Sequence, residues 1–215
     1  MSKPQKHGVL VRPGGRRKEG IPVPVQAKHI TLRDGTAGTA YGINLYDVEI
    51  PDRHYHARAC GADFAHQEVE LLFAQPRRDN PDQLRTLLIV SMPAIAIPGF
   101  LDSIARMQSP SLDDIAARIN IQSETATTFH TEAEQTVEVD ANIVAMAFSG
   151  NEACLDFYES SPFSMASLPV TNNLNLIPVV RVNTRTSLAL GMIARLRELQ
   201  KQFPPALQEW GTTNE

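Results

Sequence analysis

Hydrophobic and polar residues along this chain fall into short runs whose spacing moves between the period of a strand and that of a helix. The first strand-like tract opens with Ile21 to Gln26, Ile-Pro-Val-Pro-Val-Gln, where alternating prolines fit an extended lead-in and exclude a helix. Strand-like runs follow at Lys28 to Arg33, Tyr41 to Ile50, His54 to Phe64 and Glu68 to Ala74. Only Ala65, His66 and Gln67 separate the last two, which predicts a hairpin. Past polar Gln75 to Gln83, the run Leu84 to Met92 holds Leu87, Leu88, Ile89 and Val90 in succession. A continuous apolar run between turn signals suits a strand covered on both faces.

Helical spacing then takes over. Pro98 fits a first helical turn, and Phe100, Leu101, Ile104 and Met107 recur at helical intervals. Ser109-Pro110-Ser111-Leu112-Asp113-Asp114 reads as a second helix start, with a serine cap and acids near the positive end of the dipole, and that helix is expected to end near Ile119. Thr125 to Glu138 is polar. Val139 to Phe148 and Glu152 to Tyr158 predict another hairpin around Ser149-Gly150-Asn151, and the Ser/Pro/Asn-rich stretch Glu159 to Asn173 reads as a loop. A strand is expected over Leu174 to Val182. The last helix runs from about Thr184 to Gln202, with Leu188, Met192, Leu196 and Leu199 on one stripe, and Phe203-Pro204-Pro205 stops it.

The pattern repeats. Phe64, Glu68, Leu71 and Phe73 share their spacing with Phe148, Glu152, Leu155 and Phe157 at a constant offset of 84 residues. Ala57 pairs with Ala141 at the same offset, Val90-Ser91-Met92 resembles Val180-Arg181-Val182, and Ile104-Ala105-Arg106 resembles Ile193-Ala194-Arg195. The expected fold is therefore α+β: two tandem βββα-type repeats forming a pseudo-twofold unit, with antiparallel sheets covered by helices. A unit of this size is marginal alone, so the two are expected to need each other. The chain divides into a basic arm (1–26), a first repeat with leading strands (27–108), a linking helix with the second repeat (109–203) and a tail (204–215).

Val139-Asp140-Ala141-Asn142-Ile143-Val144, Leu155-Asp156-Phe157, Pro178-Val179-Val180-Arg181-Val182 and the helix from Leu188 to Phe203 together resemble the small bacterial and archaeal family known as domain of unknown function 3467. The resemblance covers roughly residues 138 to 203. The first repeat departs from it, with Arg58 where the second has Asn142 and Leu72 where the second has Asp156. It implies the strand and helix order above and no catalytic residues.

Composition sharpens the picture in one respect. The 215 residues are 42% hydrophobic and carry a net charge of -4, but six of the twenty bases, Lys3, Lys6, Arg12, Arg16, Arg17 and Lys18, lie in residues 1–18, which contain no acid. The remainder holds fourteen bases against all twenty-four acids, so a +6 arm is joined to a -10 body. The arm has too few large apolar residues to offset its ordering entropy and is expected to be mobile. No apolar run approaches the roughly 18 residues of a membrane helix, and Met1 to Gln26 has no signal-peptide core, which points to a cytoplasmic protein with no membrane contact. Cys60 and Cys154 lack zinc spacing and read as reduced, buried thiols.

Candidate chemistry is sparse. His54 and His56 project to one face of a strand and are the best metal-ligand pair, with His66, Glu68 or Asp63 as a third ligand; two solvent-facing residues of a half-exposed strand are the alternative. There is no Gly-x-Ser-x-Gly elbow and no phosphate loop at Gly14-Gly15, and Gly35 to Thr39 reads as a short loop. No cofactor is implied and enzymatic activity is disfavoured. The expectation is a non-enzymatic protein-interaction or assembly module that self-associates or binds a protein partner. The alternatives are a nucleic-acid-associated protein using the arm, and a metal-dependent enzyme using His54 and His56.

Overall fold

The computed structural model describes residues 20–31, 37–44, 47–65, 68–105, 129–131 and 135–203. The six arm bases, the helix expected from Ser109 and the tail lie outside the described residues. In chain order the elements are β1 (Ile21–Thr31), β2 (Ala37–Ile43), β3 (His54–His56), β4 (Ala59–Ala65), β5 (Glu68–Pro76), β6 (Leu84–Pro93), α1 (Ala96–Ala105), β7 (Phe129–His130), β8 (Val137–Asp140), β9 (Ile143–Ser149), β10 (Glu152–Glu159), α2 (Pro162–Thr171), β11 (Asn173–Arg185) and α3 (Thr186–Gln200). This is an α+β fold. One sheet runs β2-β1-β11-β10-β9 with β3 added to β11, and the other runs β4-β5-β6-β7 with β8 added to β6.

Each half of the chain builds three antiparallel strands from a hairpin and a closing strand, and the two sets share their register. β4 and β5 pair from Ala59 opposite Ala74 to Ala65 opposite Glu68, while β9 and β10 pair from Ile143 opposite Tyr158 to Ser149 opposite Glu152. Against the closing strands, Glu68 faces Pro93 and Leu71 faces Val90; Glu152 faces Arg185 and Leu155 faces Val182. The closing strands therefore correspond two residues further along than the sequence comparison suggested, Val90 with Val182. Both ladders are interrupted by a register shift at the same place, after Phe73 and after Phe157. A bulge bends and twists its strand locally, so both sheets bend at the same position.

The leading strands tie the halves together. β3 belongs by sequence to the first half but adds in parallel to β11 of the second, with Arg181 beside His54 and Asn183 beside His56. β8 leads the second half but adds in parallel to β6 of the first, with Ile89 beside Glu138 and Ser91 beside Asp140. The chain then crosses between sheets. Ala57 N–H donates to the Asn183 carbonyl at 2.9 Å before Arg58 N–H turns to Ala74, and Ala141 N–H donates to Ser91 at 3.0 Å before Asn142 N–H turns to Tyr158. Both alanines are buried at the crossing, where a larger side chain would meet two sheets at once.

One main hydrophobic core spans both halves. Leu71, Phe73, Val90, Leu155, Phe157 and Val182 have no exposed surface, and the Phe73 and Phe157 rings meet edge to face with centroids 5.8 Å apart. α1 packs on β6 and β9, and α3 packs on β4, β10 and β11, so each helix also covers the opposite half. A smaller cluster of Val23, Val25, Tyr158, Leu168, Leu174 and Leu176 lies where β1, α2 and the start of β11 meet.

Local structure departs from the sequence reading at several points. Residues 21–26, counted there with the arm, are the start of β1 and pair with β11 and β2, and Ala37 to Thr39, read as loop, begin β2. The run His54 to Phe64 is two strands, because the chain changes sheets at Ala57 and Arg58. The polar stretch before Val139 contains β7 and the start of β8, in which Val137 and Val139 pack inward while Glu138 and Asp140 face out. Glu159 to Asn173 contains α2, started by Ser161, whose side chain accepts from Ser164 N–H at 3.1 Å, and by Pro162.

The exchange of leading strands makes a direct prediction. If a protease site is placed within residues 107–127 of the full chain and cut after folding, the two pieces should stay together at a mass of 23.7 kDa. They should part only in denaturant, with an unfolding midpoint that depends on concentration only after cutting. Pieces that separate under native conditions and keep their circular dichroism would show that the halves fold independently.

Candidate functional site

A partly buried grouping of ionisable side chains lies on the outer face of β10 and β11, away from the main core. Alternation along β10 sends Leu155 and Phe157 inward and Cys154 and Asp156 outward, and Tyr158, next to the register shift, joins the outward pair. Asp156 stands opposite Arg181 of β11. The guanidinium grips the carboxylate with two parallel bonds, Nε to Oδ1 at 2.6 Å and Nη2 to Oδ2 at 2.5 Å, and the two side chains keep only 22% and 13% exposure. Tyr158 donates its hydroxyl to Oδ2 at 3.5 Å, and the Cys154 thiol points at Oδ1 at 3.7 Å. A depression of about 190 Å³ lies over the group, walled by Val48, Ile50, Ala145 and Ala147.

The electrostatics follow from one carboxylate serving several neighbours. Its hydrogen bond to Arg181 holds the guanidinium above its ordinary range. Burial, and next the Asp156 charge, push the Cys154 thiol up to about 11, with Arg181 opposing weakly, and they raise the Tyr158 phenol as well. Cys154 is thus held protonated and is a poor nucleophile.

The first half supplies a comparison inside the same molecule. At the register positions of Asp156 and Arg181 it has Leu72 opposite Ile89, and opposite Leu72 on β4 is Gly61, where a side chain would meet the Phe129 ring at 2.8 Å. The same backbone arrangement is therefore built once around an apolar pair and once around an ion pair. The strand register does not require charge at this position.

Asn142 does a second job that the first half lacks. Its side-chain amide donates to the Ser160 carbonyl at 2.7 Å and accepts from Ser160 N–H at 2.9 Å, imitating a strand partner and turning the chain from β10 into α2. The first half has Pro76 at the position of Ser160, and proline has no N–H to offer. Its link to β6 is a short polar turn held by Arg77 and Asp79. α2 itself is fixed by Leu168 in the small cluster and by Ser164, whose hydroxyl accepts from Asn175 N–H at 2.8 Å. Its other side carries Phe163 and Val170, 84% and 86% exposed, with Met165 beside them at 46%.

The residues singled out from sequence fall in separate places. His54 and His56 are exposed on β3, at the positions that Glu138 and Asp140 hold on β8, and His54 Nε2 lies 2.8 Å from the Pro51 carbonyl. His66 lies outside the described residues, and no group of three His, Cys, Asp or Glu placed to hold a metal occurs among the described ones. Leu71, Phe73, Leu155 and Phe157 form the centre of the core; Phe64 packs on Phe203 with ring centroids 4.8 Å apart, Phe148 packs on the core edge, and Glu68 and Glu152 are exposed at the hairpin exits. Both cysteines are half-buried and outside any disulfide. No described helix is long and apolar enough to cross a membrane. Tyr158 and Cys154 were not read from sequence as parts of one site, Cys154 being taken for a buried thiol, and Phe163 and Val170 were not singled out at all. The alternation Cys154, Asp156, Tyr158 was a visible signal for the first two, whereas the exposure of Phe163 has none without the helix. Comparison with protein-family models, curated proteins and solved structures found no match.

Two measurements check this site. Replacing Asp156 and Arg181 together with the leucine and isoleucine of the first half should leave stability to urea unchanged or raised, whereas Asp156→Leu alone should lower it by about 2–4 kcal/mol, because Arg181 is left without its counter-charge. The raised thiol binds its proton more tightly in the folded state. Its contribution to stability is thus complete below the ordinary value of 9.0 and is lost as pH rises toward about 11. The urea midpoint should fall over that window, and less steeply in Cys154→Ala; an unchanged slope would contradict the assignment.

Proposed function

We propose that this chain is a non-enzymatic protein-interaction or assembly module whose docking surface is the outer side of α2. The observation that carries the reading is the exposure of Phe163 and Val170 on a helix otherwise well anchored by Ser164, Leu168 and Asn142. A rigidly held patch of large apolar side chains in water is characteristic of a contact surface. The shared register of the two halves supports the further reading of a duplicated βββα unit about a pseudo-twofold axis. One chain would then build the scaffold that two copies of a smaller one could, with α2 the part added for contact. The Cys154 thiol, held protonated, gives the Asp156 group no activated nucleophile, which also favours binding over catalysis.

The test uses paired baits. Wild-type protein and a Phe163→Ser, Val170→Ser variant should share one thermal midpoint, since both side chains are already in water. The wild type should retain a binding partner, itself or another polypeptide, that the variant loses. Equal retention by the two would remove α2 as the docking surface.

A further inference from the structure

We propose that the depression over Asp156 and Arg181 is a binding site for a small neutral molecule with one ring and a carbonyl acceptor, the class of an aromatic amide. It is a site beyond the docking surface, since it shares no residue with the exposed side of α2. Its walls come from Val48 and Ile50, in the segment between β2 and β3, and from Ala145 and Ala147 of β9. These walls are fixed without a ligand. Val48 packs on the smaller cluster, Pro51 is buried with its carbonyl 2.8 Å from His54 Nε2, and the Arg53 carbonyl accepts from Arg181 N–H at 2.8 Å. β9 is paired with β10 along its whole length. Even so, Ile50 stays 52% exposed and Ala147 is exposed as well, so apolar surface faces water at the mouth. A preformed hollow with apolar walls and a few polar groups is the general form of a small-molecule site. Size sets the guest: an apolar cavity of roughly 150 Å³ takes one benzene ring, so about 190 Å³ suits a single ring with one short substituent.

The polar groups set the chemistry. Both Asp156 oxygens are held by Arg181 at 2.6 and 2.5 Å, whereas the Tyr158 hydroxyl approaches only to 3.5 Å and the Cys154 thiol, a weak donor, to 3.7 Å. Arg181 Nη1 has no acceptor among the described residues. The groups with capacity left are therefore donors, and a carbonyl oxygen answers them. An ammonium would only add another donor beside Arg181. A carboxylate would meet Asp156 and the exposed Asp47 and Glu49 that flank Val48. The ion pair cancels its own charge, so an uncharged acceptor fits where either ion does not. Leu72 and Ile89 hold the same positions in the first half, so the largely buried pair is not needed for packing, and recognition accounts for it.

Titrating benzamide into the isotopically labelled full chain, followed by backbone amide NMR shifts, tests this. Saturable shifts are expected at residues 145–147, 154–158 and 181, with a Kd on the order of 1 mM or tighter for so small a ligand. Benzoate and benzylamine should each bind at least about tenfold more weakly. Ala147→Leu, which fills the depression from an exposed position outside the core, should abolish the shifts. Tyr158→Phe should weaken benzamide about three- to tenfold, the worth of one hydrogen bond, and leave benzylamine unchanged. A titration with benzamide that gives no saturable shift overturns the proposal, as does binding indifferent to both Ala147→Leu and Tyr158→Phe. Equal or tighter binding of either charged probe would also overturn it.

Discussion

Everything in this fold depends on two short parallel pairings, β3 on β11 and β8 on β6. Each completes the sheet of one half with a strand that leads the other, and the crossing alanines Ala57 and Ala141 fix where the chain must turn. Because both sheets are completed across the halves, the hydrophobic faces they present close on one core, with Phe73 and Phe157 edge to face at its centre. Neither half retains a finished sheet without the other. A cooperative unit follows from the hydrogen-bond pattern, before any question of how large the core is.

Against that shared framework, the differences between the halves become informative. Leu72 and Ile89 in one half and Asp156 and Arg181 in the other occupy the same register, so the charge pair is an addition to the fold and not a condition of it. Asn142 and Ser160 likewise make room for α2, where the first half has Pro76 and a tight polar turn. The second half therefore carries the added features: an apolar-walled depression over the Asp156–Arg181 pair on one outer face, and a helix with exposed apolar side chains.

Much of the core was legible in the sequence. The short separators Ala65 to Gln67 and Ser149 to Asn151 between strand-like runs marked both hairpins, and the offset of 84 between Phe64-Glu68-Leu71-Phe73 and Phe148-Glu152-Leu155-Phe157 aligned them with each other. The closing strands were placed two residues out, because the likeness of Val90-Ser91-Met92 to Val180-Arg181-Val182 carries no register, which only pairing with β5 and β10 sets. α2 was missed for a different reason: its serines, prolines and small residues carry weak helical propensity, and its formation depends on the Ser161 cap and the Asn142 clamp.

The sequence by itself determined the α+β class, the two hairpins with their buried faces, the terminal helix and the separation of a +6 arm from a -10 body, because each of these follows from local periodicity or from counting. Only the tertiary structure decided that the leading strands change partners, that Arg181 closes on Asp156, and that Phe163 and Val170 face water. Those outcomes join residues distant in sequence or depend on which side of an element is covered. Alternation along a strand says which residues share a face, but only the arrival of another strand or helix says whether that face is a core or a surface.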